Sequence, residues 1–180
     1  MQIYDLNCPQ RVYVYEYDFP SINKKIAKTI RDYGDHQKKQ TNVKADMTPW
    51  IITSPEIETL KEWISEMLQN SHPDKTTWQE LRFSGKTVPV RFADCWGNVY
   101  KKGDFAKEHQ HFPSQWSIVY YVEGPQESAP LTFHPDNLQI PFKPGTLIIF
   151  PGNMRHSVPP HPVDAERITL ALNALVGTKR

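Results

Sequence analysis

The sequence predicts an α+β protein with a dominant β core, built as a jelly roll with helices packed on one sheet. Three observations support this class. From about residue 88 the chain consists of short apolar or alternating runs separated by turn residues. Sixteen prolines stand against eight glycines, and most of the prolines lie after residue 112, where they suit corners between strands. Two helical patterns precede these runs, so the helices are expected to cover one outer face of the β core.

The length and composition fit one domain. The 180 residues are expected to form a single unit, 1–180, in which 1–87 supports a jelly-roll core at 88–180. The formal net charge is +1 with both signs mixed, so no nucleic-acid footprint is visible. Cys8 and Cys95 give no disulfide framework, and no apolar run reaches the roughly 20 residues that span a membrane. Because the first residues also lack signal-peptide character, we expect a soluble, cytoplasmic protein.

The N-terminal half carries one strand pattern and two helix patterns. Residues 11–17 alternate β-branched and aromatic side chains, which predicts a strand. The spacing of isoleucines predicts a helix at 22–33, and a cap at Ser54 followed by proline predicts another at 55–69. Between them, 35–52 is polar and without a clear period. Such a segment is expected to be a lid, with Trp50 over the mouth of a site, or a surface excursion.

The C-terminal half is predicted to be β throughout. Its apolar and alternating runs predict strands at 88–94, 96–101, 116–122, 130–133, 146–150 and 167–174. Many short strands at turn-punctuated intervals are typical of a sandwich or jelly roll.

Two histidines, His109 and His111, lie two residues apart just before one of these strands. On an extended segment side chains repeat every second residue, so both imidazoles would point the same way. A third histidine, His156, follows the strand at 146–150. In a jelly roll this strand could neighbour the segment of His109 and His111 at the barrel mouth. Because histidine ligates iron, zinc, copper and nickel, the three predict a metal site. No catalytic side chain beyond these ligands is indicated.

The remaining histidines are expected at the surface. They lie in turns, in the polar segment or beside prolines, at His36, His72, His134 and His161. Glu108 would point away from His109 on an extended segment and is expected to be a solvated carboxylate.

Arg167 opens an alternating run in which the other face is apolar. Thr169, Ala171 and Asn173 would share the face of Arg167. If the apolar face packs against the outer layer, Arg167 lines the barrel interior. A buried guanidinium is costly unless paired, so it invites a carboxylate ligand, with Thr169 adding a hydroxyl. The alternative is an arginine that reaches solvent or pairs with Glu166.

Several motifs then occur in a fixed order along residues 94–174. They are Trp96-Gly-Asn-Val-Tyr-Lys-Lys-Gly-Asp104, His109-Gln-His111-Phe-Pro113, Trp116-Ser-Ile-Val-Tyr-Tyr-Val122, Pro144-Gly-Thr-Leu-Ile-Ile-Phe-Pro151 leading to His156, and Glu166-Arg167-Ile-Thr169. Together they resemble the 2-oxoglutarate- and iron(II)-dependent dioxygenases. The chain is most similar to the short oxygenases of this family that are common in marine bacteriophages and bacteria.

The resemblance implies a double-stranded β-helix that uses Fe(II), 2-oxoglutarate and O2 to hydroxylate a peptide or small molecule, with release of succinate and CO2. By the same resemblance, His109 and His156 would be iron ligands. Arg167 and Thr169 would bind the distal carboxylate of 2-oxoglutarate, with Tyr100 beside them. Tyr120 or Tyr121 would supply a second hydroxyl, and alternation favours Tyr121 as the inward residue, because it shares a face with Ser117 and Val119.

His111 departs from the family's usual pattern, because it stands where the common site has an acid. His111 is therefore the expected second ligand, with Asp104 or Glu108 as the alternative. Two other functions stay open at this point. One is a cupin-type metal enzyme that does not need Arg167, and the other is a non-catalytic β-module.

Overall fold

The computed structural model describes residues 2–5, 10–17, 20–71 and 90–176. In chain order the elements are β1 (Gln2–Asp5), β2 (Arg11–Glu16), α1 (Pro20–Tyr33), β3 (Val43–Lys44), β4 (Asp46–Met47), α2 (Pro55–Ser71), β5 (Val90–Tyr100), β6 (Phe105–His109), β7 (Trp116–Glu123), β8 (Leu131–Phe133), β9 (Leu138–Ile140), β10 (Thr146–Pro151), β11 (His156–Val158) and β12 (Arg167–Val176). The prediction of a mainly β protein with two N-terminal helices is confirmed.

The strands form two antiparallel sheets. The larger has seven strands in the order β1-β2-β10-β7-β12-β5-β4, and the smaller has five in the order β3-β6-β11-β8-β9. From β5 to β12 successive strands alternate between the two sheets, except for β8 and β9, which are neighbours in the smaller sheet. Most connections therefore cross between the two layers. The pairing of β12 with β5 is the longest, running from Arg167 opposite Tyr100 to Val176 opposite Val90.

Alternation along the strands of the larger sheet separates two apolar cores. On one face Ile168, Leu170 and Leu172 of β12 pack with residues of α1 and α2, including Ile26 and Ile57. The other face packs on the smaller sheet and forms the second core. Its members include Tyr100, Tyr121, Phe133, Phe142, Phe150 and Ala171. The predicted orientation of β12 is confirmed, and Arg167 therefore points between the sheets.

One end of each helix has a reason that is visible in the sequence. Ser54 caps α2, because its Oγ accepts a hydrogen bond from the amide of Ile57 at 3.2 Å. Gly34 follows α1 with φ at +69°, a conformation that glycine adopts at the C-terminal end of a helix without strain. Within the described part of the chain, neither helix combines the length and apolar character needed to cross a membrane.

Some predicted boundaries were wrong. The strands expected at 88–94 and 96–101 are one continuous strand, β5, because β12 pairs along its whole length. The polar segment 35–52 contains β3 and β4 and buries Val43, Ala45 and Met47. It is tied to β6 by the amide of Lys107, which donates to the Asn42 carbonyl at 3.0 Å. The predicted turn residue His72 lies outside the described residues.

Candidate metal centre and anion pocket

The three histidines singled out by the sequence converge at the end of the smaller sheet. His109 ends β6, and its direct cross-strand partner is His156, the first residue of β11. His111 lies two residues beyond β6, where its amide donates to the carbonyl of Gly152 at 2.6 Å. One ring nitrogen from each histidine lies within 4.8 Å of the others. Three donors this close can share one metal ion.

Hydrogen bonds fix the tautomers of two of these rings. Nδ1 of His109 lies 2.6 Å from the carbonyl of Lys107, and Nδ1 of His156 lies 3.0 Å from the carbonyl of Met154. A carbonyl only accepts, so each Nδ1 carries the hydrogen and each Nε2 is left with its lone pair. A metal-ligating histidine typically has this arrangement, in which the second nitrogen donates to a carbonyl and orients the ring.

The surroundings also keep the rings neutral. Burial lowers the pKa of His109. Burial and then the neighbouring His109 lower the pKa of His111 to about 4. The pKa of His156 is lowered well below its ordinary value, again mainly by burial and then by His109 and His111. Unprotonated imidazoles at neutral pH are what a metal ion requires.

The two carboxylates considered as alternatives are engaged elsewhere. Asp104 pairs with Lys39 and accepts a hydrogen bond from the amide of Lys101 at 2.9 Å. Glu108 is exposed and pairs with Arg155 at 2.6 Å. Among the described residues, the potential metal-binding group at this place consists of the three histidines alone. The donor set is therefore neutral.

Arg167 is buried between the sheets with only 1% of its surface exposed. Its Nε donates to the carbonyl of Ala129 at 2.9 Å, while Nη1 is buried with no hydrogen-bond partner among the described residues. The guanidinium carbon lies 4.7 Å from the ring centroid of Tyr100 and 5.3 Å from that of Tyr121. Glu166, the partner considered from the sequence, pairs with Arg31 instead. A buried cation with an unused donor suits an anionic ligand.

The two neighbouring tyrosines of β7 point in opposite directions. The hydroxyl of Tyr120 donates to Asn23 at 2.6 Å on the helix side of the sheet. Tyr121 lies between the sheets, as alternation predicted, but its hydroxyl donates to the carbonyl of Ile140 at 2.9 Å and accepts from the amide of Leu131 at 3.1 Å. Tyr100 is buried, and its hydroxyl interacts with Arg167.

A narrow cavity joins the histidines to Arg167. Its lining includes His109, His111, His156, Tyr100, Arg167 and Thr169, and also Trp96 and Asn98. Besides Nη1 of Arg167, two further buried polar atoms that lack a partner within the described part of the chain belong to this lining, namely Nε1 of Trp96 and Oδ1 of Asn98. Neither residue was among the site residues predicted from the sequence. Alternation along β5 could have found them, since Trp96 and Asn98 share the face of Tyr100.

Of the histidines expected at the surface, His36 is exposed and His134 is half-buried. His161 contradicts the prediction, because only 1% of it is exposed. Its ring is held by backbone groups of Ala129, in a distant loop, and of Ala165, four residues further along the chain. A proline-rich context favours a surface turn, but these hydrogen bonds satisfy the ring in the interior.

The sequence from β5 to the turn before β10 carries the family signal. The model of a family described as "Putative 2OG-Fe(II) oxygenase" matches residues 94–143, which include Tyr100, His109 and His111. Over these residues the chain is similar to the 2OG-Fe(II) oxygenases. This similarity supports the expected enzyme class, a non-haem iron dioxygenase that uses Fe(II), 2-oxoglutarate and O2. No protein of curated function matches the sequence.

Solved structures of prolyl hydroxylases share the fold of this chain. The viral collagen prolyl hydroxylase of Paramecium bursaria Chlorella virus-1, solved with 2OG, has a TM-score of 0.64 at 14% identity, over 91% of this chain and 94% of that one. A Pseudomonas putida prolyl-4-hydroxylase has a TM-score of 0.62 at 16% identity, over 94% and 93%. A Trichoplax adhaerens prolyl hydroxylase, in complex with a hypoxia-inducible-factor peptide fragment, has a TM-score of 0.64 at 14% identity, over 91% and 83%.

Proposed function

We propose that this chain is a 2OG-Fe(II) oxygenase that holds Fe(II) with His109, His111 and His156, binds 2-oxoglutarate at Arg167, and hydroxylates a peptide or a small molecule. The two facing sheets would then be the two halves of a double-stranded β-helix, in one domain spanning the chain. The proposal depends on whether the residues that line the cavity fit these cofactors.

The histidines fit a divalent iron ion. One ring nitrogen from each lies within 4.8 Å of the others, and bonds from Nδ1 to carbonyls leave the Nε2 lone pairs of His109 and His156 free for a metal ion. Three protein ligands on one side leave other coordination positions open, as oxygen-activating iron sites require. Since all three ligands are neutral, the ion keeps its charge until an anion binds beside it. That charge favours a dicarboxylate such as 2-oxoglutarate.

The anion pocket fits the distal carboxylate of 2-oxoglutarate. Arg167 is desolvated, held at Nε by Ala129, and left with Nη1 unpaired among the described residues. A carboxylate on this guanidinium would form a charge-assisted hydrogen bond that is stronger than one between neutral groups. Thr169 lies two residues along the same strand face and would add its hydroxyl. Asn98 already donates to Thr169 Oγ1 at 3.3 Å, which orients that hydroxyl.

The hydrogen bonds of the two inward tyrosines bear on which hydroxyl contacts 2-oxoglutarate. The single donor of Tyr121 is already used on Ile140. Tyr100 lines the cavity and lies closest to the guanidinium. We therefore favour Tyr100 as the hydroxyl that contacts 2-oxoglutarate, with Tyr121 as a support for Arg167. Both assignments are predictions that separate substitution of each tyrosine can test.

The chain's own residues do the positioning, and the cofactors do the chemistry. When bound, Fe(II) and 2-oxoglutarate supply an oxidation in which O2 is consumed, the substrate is hydroxylated, and succinate and CO2 are released. Arg167 and the histidines fix the co-substrate at both ends of the cavity, and the aromatic walls exclude water. Trp50 packs on Trp96 with ring centroids 5.1 Å apart and is 43% exposed, so it is placed to meet a substrate at the mouth of the cavity.

The substrate class is a peptide or a small molecule, and the site of action is the cytoplasm. The prolyl hydroxylases of similar fold support the peptide, since one of them was solved with a peptide fragment. The substrate is set by the walls of the mouth rather than by the ligands that fix the cofactors.

The unpaired Nη1 of Arg167 is the observation that carries the proposal. The test is anaerobic addition of Fe(II) followed by titration with 2-oxoglutarate, watched by the visible charge-transfer absorption of the complex. We expect the band in the wild type, Fe(II) binding without the band in Arg167→Ala, and neither in His156→Ala. Iron binding with no band in the wild type would instead favour a cupin-type metal enzyme. A wild-type protein that binds no iron would leave a non-catalytic β-module.

A further inference from the structure

His161 lies in the proline-rich connection between β11 and β12 and is buried. Its Nε2 is 2.7 Å from the carbonyl of Ala165, and its Nδ1 is 3.4 Å from the amide of Ala129. Because a carbonyl only accepts and an amide only donates, Nε2 carries the hydrogen and Nδ1 accepts. His161 is therefore a neutral imidazole held at both nitrogens by backbone groups.

Ala129 connects this imidazole to the anion pocket. Its amide donates to His161, and its carbonyl accepts from Nε of Arg167 at 2.9 Å. Ala129 itself is 2% exposed, so water is not available to replace either bond. The position of the Ala129 carbonyl therefore sets the orientation of the guanidinium. That orientation in turn sets the direction in which Nη1 points.

The backbone of His161 ties the same point to β5. Its amide donates to the carbonyl of Asp104, and its carbonyl accepts from the amide of Gly103, both at 2.8 Å. This turn directly follows Tyr100, whose ring packs on the guanidinium. His161 thus joins three otherwise separate loops around Arg167, through bonds to its ring and to its main chain.

We propose that His161 is a positioning residue for 2-oxoglutarate, acting through Ala129 on Arg167. It touches neither the iron site nor the ligand. Its imidazole holds the Ala129 backbone so that the guanidinium presents Nη1 to the cavity. The inference rests on the proposed role of Arg167. It adds a residue that belongs neither to the Glu166–Thr169 motif nor to the proposed iron ligands.

The test compares His161→Leu, which keeps an apolar side chain but removes both ring bonds, with His161→Gln, which can restore one donor and one acceptor. His36→Leu is the matched control, because His36 is exposed and, among the described residues, its ring bonds the local carbonyl of Tyr33. For each protein we would measure the anaerobic Kd for Fe(II) and the Kd for 2-oxoglutarate at saturating Fe(II). We would also measure KM and kcat for the consumption of 2-oxoglutarate in air without added substrate.

We expect His161→Leu to raise the Kd and KM for 2-oxoglutarate about tenfold while the Kd for Fe(II) changes less than about twofold, as loss of an orienting partner does at other sites. His161→Gln should recover part of this loss, and kcat at saturating 2-oxoglutarate should be little changed. If His161→Leu fails to fold, His161→Gln carries the test, with a rise of a few-fold expected. In an Arg167→Lys background, which lacks Nε, substitution of His161 should have no further effect.

Two results would overturn the inference. One is a folded His161→Leu protein with wild-type affinity for 2-oxoglutarate or, if His161→Leu does not fold, a His161→Gln protein with wild-type affinity. The other is an equal loss of Fe(II) and 2-oxoglutarate affinity, which would mean general loosening rather than positioning. Failure of the proposed function looks different, because the wild type itself would then show no 2-oxoglutarate binding, and both proposals would fall.

Discussion

Arg167 and Tyr100 are direct cross-strand partners of β12 and β5, and the guanidinium carbon of Arg167 lies 4.7 Å from the centre of the tyrosine ring. The pairing holds a buried cation against an aromatic face at one end of the cavity, while the three histidines stand at the other. A cation over an aromatic ring is stabilised by the ring's electrons, so the tyrosine ring offsets part of the cost of burying the guanidinium.

This pairing predicts different consequences for the two tyrosines near Arg167. Tyr100→Phe keeps the ring under the guanidinium and removes the hydroxyl. We expect the Kd for 2-oxoglutarate to rise about three- to tenfold, the effect of losing about one hydrogen bond, with little change in thermal stability. Anaerobic titration of the iron-loaded protein with 2-oxoglutarate gives the affinity, and thermal unfolding gives the stability.

Tyr121→Phe is the matched control, and it should behave in the opposite way. The substitution removes the donor to Ile140 and leaves the amide of Leu131 without its acceptor in the interior. We expect a loss of about 1–3 kcal/mol in the free energy of unfolding, with the affinity for 2-oxoglutarate nearly unchanged. A larger affinity loss in Tyr121→Phe than in Tyr100→Phe would show that Tyr121 is the contacting hydroxyl.

A second prediction concerns the ligand that replaces the usual acid. His111→Ala should abolish stable Fe(II) binding, because it removes one of three converging nitrogens. Glu108→Gln should leave Fe(II) affinity within about twofold, since its carboxylate pairs with exposed Arg155 and such surface pairs contribute little. Equilibrium binding of Fe(II) under anaerobic conditions distinguishes the two. If Glu108→Gln loses the iron and His111→Ala keeps it, the acid is the ligand.

Sequence patterns predicted the parts of the fold that repeat over several residues. Strand β12 was found because its alternation extends from Arg167 to Asn173, and α2 because its cap and apolar stripe agree. The cluster of three histidines was predicted because two of its members fall on alternate residues. The inward orientation of Tyr121 followed from the same alternation.

What the sequence could not show depends on contacts between distant segments. Strands β3, β4 and β11 have only two or three residues, too few for a period, and exist because neighbouring strands pair with them. His161 was expected in a surface turn, yet main-chain groups of Ala129 and Ala165 satisfy its ring in the interior. Trp96 and Asn98 become notable only when their unpaired atoms are seen beside the cavity that both residues line.

A third prediction concerns the stability of the iron-free protein in acid. The pKa of each of the three histidines is lowered from the ordinary 6.5, that of His111 to about 4. Below about pH 6.5 the unfolded chain therefore binds more protons than the folded one, and the free energy of unfolding falls as pH falls. Urea unfolding at about pH 7.5 and about pH 5.5 should show a lower midpoint at the more acidic value.

The control for this prediction is His111→Asn, which removes one of the three groups. It should reduce the difference between the two midpoints. The interval is chosen above the range in which carboxylates with a lowered pKa, such as Asp35 and Glu58, take up protons. Equal pH dependence in the wild type and in His111→Asn would contradict the assignment of this effect to the buried imidazole of His111.

A fourth prediction concerns the turn that carries His111. Gly152 follows β10, its amide donates to the carbonyl of Gln115 at 2.9 Å, and its carbonyl accepts from the amide of His111. A Cβ at position 152 would lie 2.0 Å from the carbonyl oxygen of Ser114, closer than any real contact. Because the obstacle is backbone, no side-chain rotation relieves it. Gly152→Ala should therefore displace the turn, lower the free energy of unfolding by about 1–3 kcal/mol or more, and weaken Fe(II) binding.

Gly34→Ala separates the general cost of a glycine substitution from this local effect. Gly34 has φ at +69°, and a Cβ on it would have no other atom within 4 Å, so alanine there would cost about 1–2 kcal/mol through backbone strain alone. It should leave Fe(II) affinity intact, because it ends α1 and makes no contact with the histidine turn. Parallel measurements of unfolding and Fe(II) affinity on both variants decide the matter. If Gly152→Ala loses stability but binds Fe(II) as tightly as Gly34→Ala, then Gly152 does not set the position of His111.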